Sequence, residues 1–474
     1  MNQWTHAKAQ PVVGWRAGCV WALVAVIAFQ AAHVWTVGWL TIPCAYALVE
    51  LSRLPARRSV WYTVLMCGFL FYAPQLGFFW KIFGPGAAAL WYVLAFWIAL
   101  FAMLLRLVHN RFGEQWMLVL APVLWTGFEY FRGELYYLRF TWLTFGMAHG
   151  DPAVAHGLGV YFLGFLAMAL ASGVKAICKI GPAVTIGTLG TQVLLAGFLS
   201  PKTTRSGKPE TGGLTVAGVQ LEFAEHNVLS CLDQLVAKFP DAQLLMLSEY
   251  TFDGPIPEPV RNWCRKHHRY LVAGGKETLG TTGYYNMAYV VDREGEIVHR
   301  QVKSVPIQFF QDGLPAPERK VWNSPWGPIG ILICYDLSYT RVVDDFVRQG
   351  ARALLVPTMD VINWGAHQHE LHSRIAPMRA AEYGIPIFRV CSSGISQIAT
   401  ARGGIAASAP FPGQEEMLGG SFSMGGNAAL PLDRTLAPLA VAPTGLVVLA
   451  LLWHTWRDKR ARRAATIPAS SRRR

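Results

Sequence analysis

The sequence predicts a polytopic α-helical membrane domain of about eight spans, with an α/β domain inserted before the last span. Three observations carry this. Only 17 of the first 200 residues are charged, well below the ~25% of a soluble domain. Apolar stretches near the ~20 residues that cross a bilayer recur through that region and once more close to the C-terminus. Between residues 214 and 435 the texture changes to short apolar runs separated by amphipathic ones, the alternation of an α/β domain. A single soluble globule, a disordered chain and a disulfide scaffold are excluded.

The spans are read at 15–31, 33–51, 60–79, 87–108, 116–131, 154–173 and 177–199, with an eighth at 436–456. The domain plan is therefore a seven-span membrane domain over 1–200, an α/β domain over 214–435, the last span at 436–456 and a basic tail over 457–474. The first stretch resembles a signal peptide, but six more spans follow, so it is read as an uncleaved helix. With the N-terminus in the cytoplasm, 17 Lys and Arg fall on that side, in the tails and in short loops such as Arg53–Arg58. The opposite short loops carry Lys81, Arg132 and Arg139. Positive loops stay inside. Both termini are thus expected in the cytoplasm and the α/β domain outside, which in a two-membrane bacterium means a multi-pass inner-membrane protein with a periplasmic domain.

The net charge of +13 is unevenly placed. Lys/Arg stand against Asp/Glu as 12 to 5 in residues 1–200, 22 to 23 in 201–456 and 8 to 1 in 457–474. A nucleic-acid reader would carry its basic charge on the folded domain; here the charge flanks the spans, and no nucleic-acid partner is expected. Of eight cysteines, Cys19, Cys44, Cys67 and Cys178 fall in spans and Cys231, Cys264, Cys334 and Cys391 in the α/β domain. No CxxC pair exists, which argues against a zinc or thioredoxin-like centre. Cys231 and Cys264 are candidates for a bridge in an oxidising compartment, which the sequence leaves open.

In the α/β domain, the strand candidates are Leu214–Val219, Leu244–Leu247, Tyr270–Ala273, Ala288–Val291, Ile329–Ile333, Ala353–Val356 and Ile387–Val390. The helix candidates are Asn227–Phe239, Val342–Gln349 and His369–Tyr383. Residues 201–213 and 411–427, rich in Gly, Pro, Ser and Thr, read as linkers. No internal repeat, GxGxxG motif or P-loop occurs.

Three chemistry-bearing residues stand at strand ends. Glu249 closes Leu-Leu-Met-Leu-Ser-Glu, Lys303 follows the hairpin around Asp292–Gly295, and Cys334 closes Ile-Leu-Ile-Cys. A thiol at a strand-to-helix turn can be both exposed and activated, since the following backbone N–H groups and the helix N-terminus favour the thiolate. A carboxylate within reach takes its proton, and a lysine stabilises an oxyanion. Singly, each has an ordinary alternative: a buried Cys is usually a small hydrophobe, and a Glu or Lys at a strand end is usually solvated.

The order Glu…Lys…Cys resembles the nitrilase superfamily, and the whole chain resembles its membrane branch, the apolipoprotein N-acyltransferase family. The stretches that carry the likeness are Trp125-Thr-Gly-Phe-Glu129-Tyr-Phe-Arg132, Phe140-Thr-Trp142, Gly157 to Leu166, Val216-Ala-Gly-Val-Gln220 and Tyr285-Asn286-Met-Ala-Tyr289. Ile333-Cys334-Tyr335-Asp336, His372, Met378-Arg379-Ala-Ala-Glu382, Arg389 and Ser393-Gly394-Ile395-Ser396 continue it. The resemblance implies an αββα sandwich and a two-step acyl transfer without cofactor or metal. Cys334 takes a fatty acyl group from a phospholipid as a thioester. The α-amine of an N-terminal diacylglyceryl cysteine on a lipoprotein then receives it. Glu249 is implied as general base, Lys303 as oxyanion partner, and Tyr335 and Asp336 as their neighbours.

The likeness thins after Lys303. Gln311 occupies the offset of the family's auxiliary glutamate, and Asp312 is the nearest carboxylate. The tryptophan expected after the first strand is missing, with Glu225-His226 in its region. Asp360, Trp364 and Gly365 keep an acid, a Trp and a Gly at altered spacing, and His372 is read as a wall of the site. His367, His369 and His372 do not share a helix face, so no metal is expected. Phe309-Phe310, with Ile256 and Trp322, form candidate apolar arms or ordinary core. Two other readings stay open: a membrane-tethered amidase or nitrilase-type hydrolase, and a diverged non-catalytic or conjugation-associated paralogue.

Overall fold

The computed structural model describes residues 13–180, 213–222, 227–280, 283–413, 415–426 and 428–465, without the side chains of 178–180 and 458–465. All but residues 177–180 of the seventh expected span, the 201–212 linker, Glu225-His226 and the end of the basic tail lie outside the described residues.

The N-terminal part is helical: α1 (Trp15–Val34), α2 (Thr41–Leu51), α3 (Arg57–Gln75), α4 (Phe79–Phe83), α5 (Gly86–Phe112), α6 (Glu114–Tyr130) and α7 (Val160–Ile180). Among the described residues, four helical stretches are long and apolar enough to cross a membrane: Trp15–Val34, Gly86–Phe112, Val160–Ile177 and Asp433–Arg457. Several expected boundaries move. The 33–51 span is shorter, because α1 runs on to Val34 and Thr36 turns left-handed (φ 54°) before a 3-10 turn at Gly38–Leu40. The 60–79 span stops at Gln75, one residue after Pro74, and the chain restarts as the short α4. The 154–173 span begins only at Val160, since the backbone leaves helical geometry at Gly157 and Gly159 (φ 68° and 87°). A single π turn, Phe131–Leu135, follows α6 and buries Arg132 and Glu134.

The inserted domain runs β1 (Gly213–Val219), α8 (Val228–Lys238), β2 (Leu244–Met246), α9 (Glu258–His267), β3 (Tyr270–Thr278), β4 (Tyr284–Val291) and β5 (Ile297–Val302). It continues with β6 (Trp322–Ser324), β7 (Gly327–Ile331), α10 (Thr340–Arg348), β8 (Ala353–Thr358), α11 (Ala366–Ser373) and α12 (Ile375–Tyr383). β9 (Ile387–Cys391), β10 (Ser396–Ala399), β11 (Ile405–Ala409) and β12 (Met417–Ser423) close it, and α13 (Asp433–Ala465) leads away.

The strands form two six-stranded sheets, ordered β12-β1-β2-β3-β4-β5 and β11-β10-β9-β8-β7-β6. Side chains alternate across each strand. Val216, Leu244, Met246 and Val272 of the first sheet join Ile331, Leu354 and Val356 of the second in one core. Ala217, Leu245 and Leu271 point the other way, onto Leu232 and Leu235 of α8 and Trp263 of α9. Helices α10 and α12 cover the far side of the second sheet. The layers are helix, sheet, sheet, helix, as the resemblance implied.

All seven apolar runs are strands. The 411–427 stretch is not a linker throughout: it holds β12, the antiparallel partner of β1. A Cβ on Gly419 would lie 2.5 Å from the Phe239 ring, so the glycine that suggested a loop permits close packing on a strand. The expected His369–Tyr383 helix breaks in two at Arg374, whose Nη1 donates to the His33 carbonyl at 2.7 Å.

Candidate active site

Three strand ends deliver the sequence-predicted residues to one place. Glu249 stands just beyond β2, in a turn that lies on β3. Gly274 makes room for it: a Cβ there would sit 2.5 Å from the Glu249 Cα. Lys303 directly follows β5, its N–H held by the Asn286 carbonyl at 2.9 Å. Cys334 opens a five-residue 3-10 turn after β7, with φ at 52°. That left-handed backbone is strained for a residue with a Cβ and persists only where surroundings enforce it. Asp336 supplies the enforcement. Its carboxylate accepts from the N–H groups of Val305 (2.7 Å), Ser304 (2.9 Å) and Ile333 (3.2 Å). It thereby ties the Cys334 turn to the segment after Lys303. Burial pushes the Asp336 carboxyl up to about 6, against the pull of these donors and Lys303.

The Lys303 ammonium lies 2.8 Å from Glu249 Oε1 and 2.7 Å from Asp312 Oδ2. Asn286 Nδ2 bridges the same two acids, donating at 2.6 and 3.0 Å. The Met359 N–H donates to Glu249 Oε2 at 2.8 Å. Asp312 also accepts from the Ile307 N–H and the Tyr250 hydroxyl, both at 2.8 Å. Burial and the neighbouring Asp312 raise the Glu249 carboxyl, with Lys303 opposing them. Burial works against the charge of Lys303, yet Asp312 and Glu249 hold its ammonium well above the ordinary lysine value.

Cys334 is 3% exposed, and its Sγ lies 3.6 Å from the Met359 carbonyl. Burial and the Glu249 charge push the thiol well above its ordinary value, more than Lys303 pulls it down. The expectation of an exposed, helix-ionised thiolate is therefore corrected. One short 3-10 turn carries too little dipole to offset desolvation, so burial favours the thiol form.

The other predicted residues separate. Tyr335 packs edge-on against Trp142 and Tyr339, with ring centroids 5.9 and 5.0 Å away. Asp312 meets Lys303, whereas the Gln311 side chain is exposed and its carbonyl takes the Tyr284 hydroxyl at 2.5 Å. Asp360 is buried against His372 Nδ1 (2.8 Å) and Arg389 Nη2 (2.6 Å). Burial opposes the Asp360 charge, but His372 and Arg389 hold its carboxyl well below the usual range. Trp364 faces Phe310 at 6.4 Å. His369 stacks on Phe411 at 4.2 Å. Cys231 and Cys264 are buried and free. Ile256 and Trp322 belong to the core, while Phe309 and Phe310 are exposed beside Phe83.

Two clefts meet at Cys334. One, about 860 Å³ with its mouth, is walled by Phe79, Phe83, Leu90 and Leu94 of the helical part and by Phe140 and Trp142. The other, about 1180 Å³, is walled by Glu249, Lys276, Tyr284, Lys303 and Asp312. Cys334, Ile307, Phe310 and Trp364 border both. The helical part also grips the Cys334 turn. Trp142 Nε1 donates to Ser338 Oγ (2.9 Å) and Thr141 Oγ1 to the Ser338 carbonyl (3.1 Å), while Glu134 accepts from the Thr340 N–H (2.9 Å). Trp142 stacks on His372 at 4.7 Å. Sequence reasoning gave Asn286, Trp142, Tyr250 and Met359 no site role. Asn286 and Trp142 lay inside motifs already noted; Tyr250 and Met359 carried no signal.

A buried thiol, carboxylate and ammonium at the strand ends of such a sandwich define a carbon-nitrogen hydrolase domain, and the carbon-nitrogen hydrolase family model matches residues 229–419. The model for the apolipoprotein N-acyltransferase N-terminal domain matches residues 21–173. The chain belongs to the apolipoprotein N-acyltransferase family. The Pasteurella multocida apolipoprotein N-acyltransferase is 24% identical over 456 residues, covering 82% of this chain and 85% of the relative. The Geobacter metallireducens apolipoprotein N-acyltransferase is 24% identical over 384 residues, covering 70% and 73%. Among solved structures, the carbon-nitrogen hydrolase from Helicobacter pylori aligns with a TM-score of 0.40 at 18% identity, over 53% of this chain and 96% of that one.

Proposed function

We propose that the protein transfers a fatty acyl chain from a phospholipid to the α-amine of the N-terminal diacylglyceryl cysteine of lipoproteins, with Glu249, Lys303 and Cys334 as the catalytic group. The carrying observation is the position of Cys334 between an apolar cleft built with the helical part and a polar cleft built by the inserted domain. A chain lies in the first while the reacting carbonyl reaches the second.

Because burial favours the thiol form, attack and proton transfer go together. The Sγ–carbon bond forms as Glu249 takes the thiol proton. Lys303 and the backbone N–H after Cys334 stabilise the oxyanion. The ester C–O bond breaks, and Glu249 returns the proton to the departing lysophospholipid. In the second step the amine attacks the thioester and loses its proton through Glu249 to the sulfur. Nitrogen gains the acyl group and Cys334 is restored. Such an exchange gives ping-pong kinetics. Asp312, beside Lys303, fixes the ammonium. The reading sets the inserted domain on the periplasmic side of the inner membrane, both termini in the cytoplasm and the whole chain across about eight spans, as the loop charges argue.

Mass spectrometry after incubation with labelled phospholipid tests this. The wild type is expected to carry the label on Cys334, and a diacylated lipopeptide discharges it. A thioester that only water discharges replaces the transferase by a hydrolase. No label at all, with unchanged behaviour of Cys334→Ala in cells, makes the protein non-catalytic.

A further inference from the structure

The apolar cleft contains one residue that its walls do not explain. Among the described residues lining it, Arg139 is the only Lys or Arg. Its Nε is buried and without a hydrogen-bond partner among the described residues. Its guanidinium lies over the Tyr339 ring, 5.4 Å from the centroid, and that of Arg341 lies over the same ring at 6.0 Å. The Arg341 Nε is likewise buried and unpartnered among the described residues. The Tyr335 and Tyr339 hydroxyls both reach the Arg139 carbonyl at 3.5 Å, which fixes this loop beside the residue after Cys334.

The nearby acids are mostly engaged. Glu134 influences Arg341; its Oε1 receives the Thr340 N–H, the Thr340 hydroxyl and the Tyr161 hydroxyl, while its Oε2 is buried without a hydrogen-bond partner among the described residues. Asp345 is paired with Arg319. Asp360, the carboxylate of the cleft lining, is held by Arg389. One Glu against two guanidiniums leaves positive charge in an apolar setting, where it is strong and asks for an anion.

We propose that Arg139, assisted by Arg341, binds the phosphate of the acyl donor's headgroup. Arg presents a planar fork that matches phosphate oxygens. The chain then occupies the apolar cleft, the ester lies at Cys334, and the phosphate lies at Arg139. This deepens the acyl-transfer reading and rests on it.

The test uses the full chain in detergent micelles and follows acylation of Cys334 by mass spectrometry. Two donors carry the same chains: phosphatidylglycerol, and diacylglycerol, which lacks the phosphate. The wild type is expected to favour phosphatidylglycerol. Arg139→Gln is expected to cut that preference about tenfold, the scale of a lost charge-assisted hydrogen bond. Arg139→Lys is expected to keep part of it, and Arg341→Gln to lower it less. Equal wild-type rates from both donors overturn the headgroup site and leave acyl transfer standing, and this comparison needs no variant to fold. A preference unchanged in Arg139→Gln also overturns it. If inorganic phosphate alone restores the diacylglycerol rate, the site takes free phosphate and the headgroup assignment falls. Acylation from neither donor removes the acyl-transfer reading itself, and this site with it.

Discussion

Around Lys303, the carboxylates of Glu249 and Asp312 converge on a single ammonium. Around Arg434, the carboxylates of Glu382, Asp433 and Asp344 meet the guanidiniums of Arg434, Arg379 and, at the rim, Arg348. Apart from Arg348, whose side chain is 55% exposed, both clusters are buried. The second sets three acids against two buried guanidiniums, and guanidinium does not give up its proton. Its acids also hold backbone: Glu382 takes the Val160 N–H at 2.8 Å, and Asp433 takes the Tyr161 N–H at 2.9 Å. It fastens the starts of α7 and α13 to α10 and α12. The first cluster sets two acids against one ammonium beside the Cys334 thiol. Burial and Asp312 raise Glu249 there, which suits the proton-accepting role proposed for it. Each buried cluster has one acid in excess, so it is the neighbouring Cys334 thiol, not charge balance, that sets the first apart.

The largest way to break this contrast is to remove each central cation. Lys303→Met is expected to slow acylation of Cys334 by at least ~100-fold, the usual scale for losing an oxyanion donor, measured in single turnover. Arg434→Met leaves three buried acids short of a partner and is expected to cost about 3–5 kcal/mol of stability, seen as an earlier thermal transition. Activity per folded molecule should stay within about threefold. Loss of activity without loss of stability in Arg434→Met ends the division of labour.

A sharper test is the pH profile. The base must be ionised, so the rate rises with pH as Glu249 loses its proton, and burial with Asp312 sets that limb above the ordinary glutamate value. Asp312→Asn removes a like charge, so the limb is expected to move to lower pH. Its other effect is a rate loss of about tenfold as Lys303 loses a charge-assisted bond. A limb that stays in place, or moves up, shows that Asp312 does not act on Glu249.

How much of this was legible beforehand follows the same division. The seven apolar runs became strands because burial on both faces writes itself as a continuous apolar run; the strand-end positions of Glu249 and Cys334 followed from them, and that of Lys303 from the hairpin around Asp292–Gly295. Strands β6, β10 and β11 went unread, being short or polar, and β12 was hidden by glycines, of which Gly419 makes room for Phe239. The state of Cys334 was misjudged because a strand-to-turn pattern does not reveal how completely the helical part covers the turn. Asp312 over Gln311 was open because a one-residue choice in an irregular loop has no period to decide it. The Arg434 cluster was invisible, since it joins Asp344, Glu382 and Asp433 across three elements, and no local pattern encodes such a meeting.

The smallest effect concerns the seam between the two regions. Trp142 comes from the helical part, yet its Nε1 donates to Ser338 at the end of the Cys334 turn and its ring stacks on His372, which Asp360 holds. Cys334 keeps a strained φ, so the turn needs support on both sides, and Asp336 provides only the side facing Lys303. Trp142→Phe keeps a stacking ring and removes the donor. A neutral hydrogen bond is worth about 0.5–1.5 kcal/mol, so a loss of roughly two- to tenfold is expected. Its location is the informative part. If Trp142 supports the turn, the loss falls on kcat and appears equally with phospholipid and with a short soluble ester. If Trp142 is merely a wall for the chain, the loss falls on KM for the phospholipid alone. If neither parameter changes, Asp336 suffices, and the helical part contributes a lipid cleft without bearing on the geometry of the sulfur.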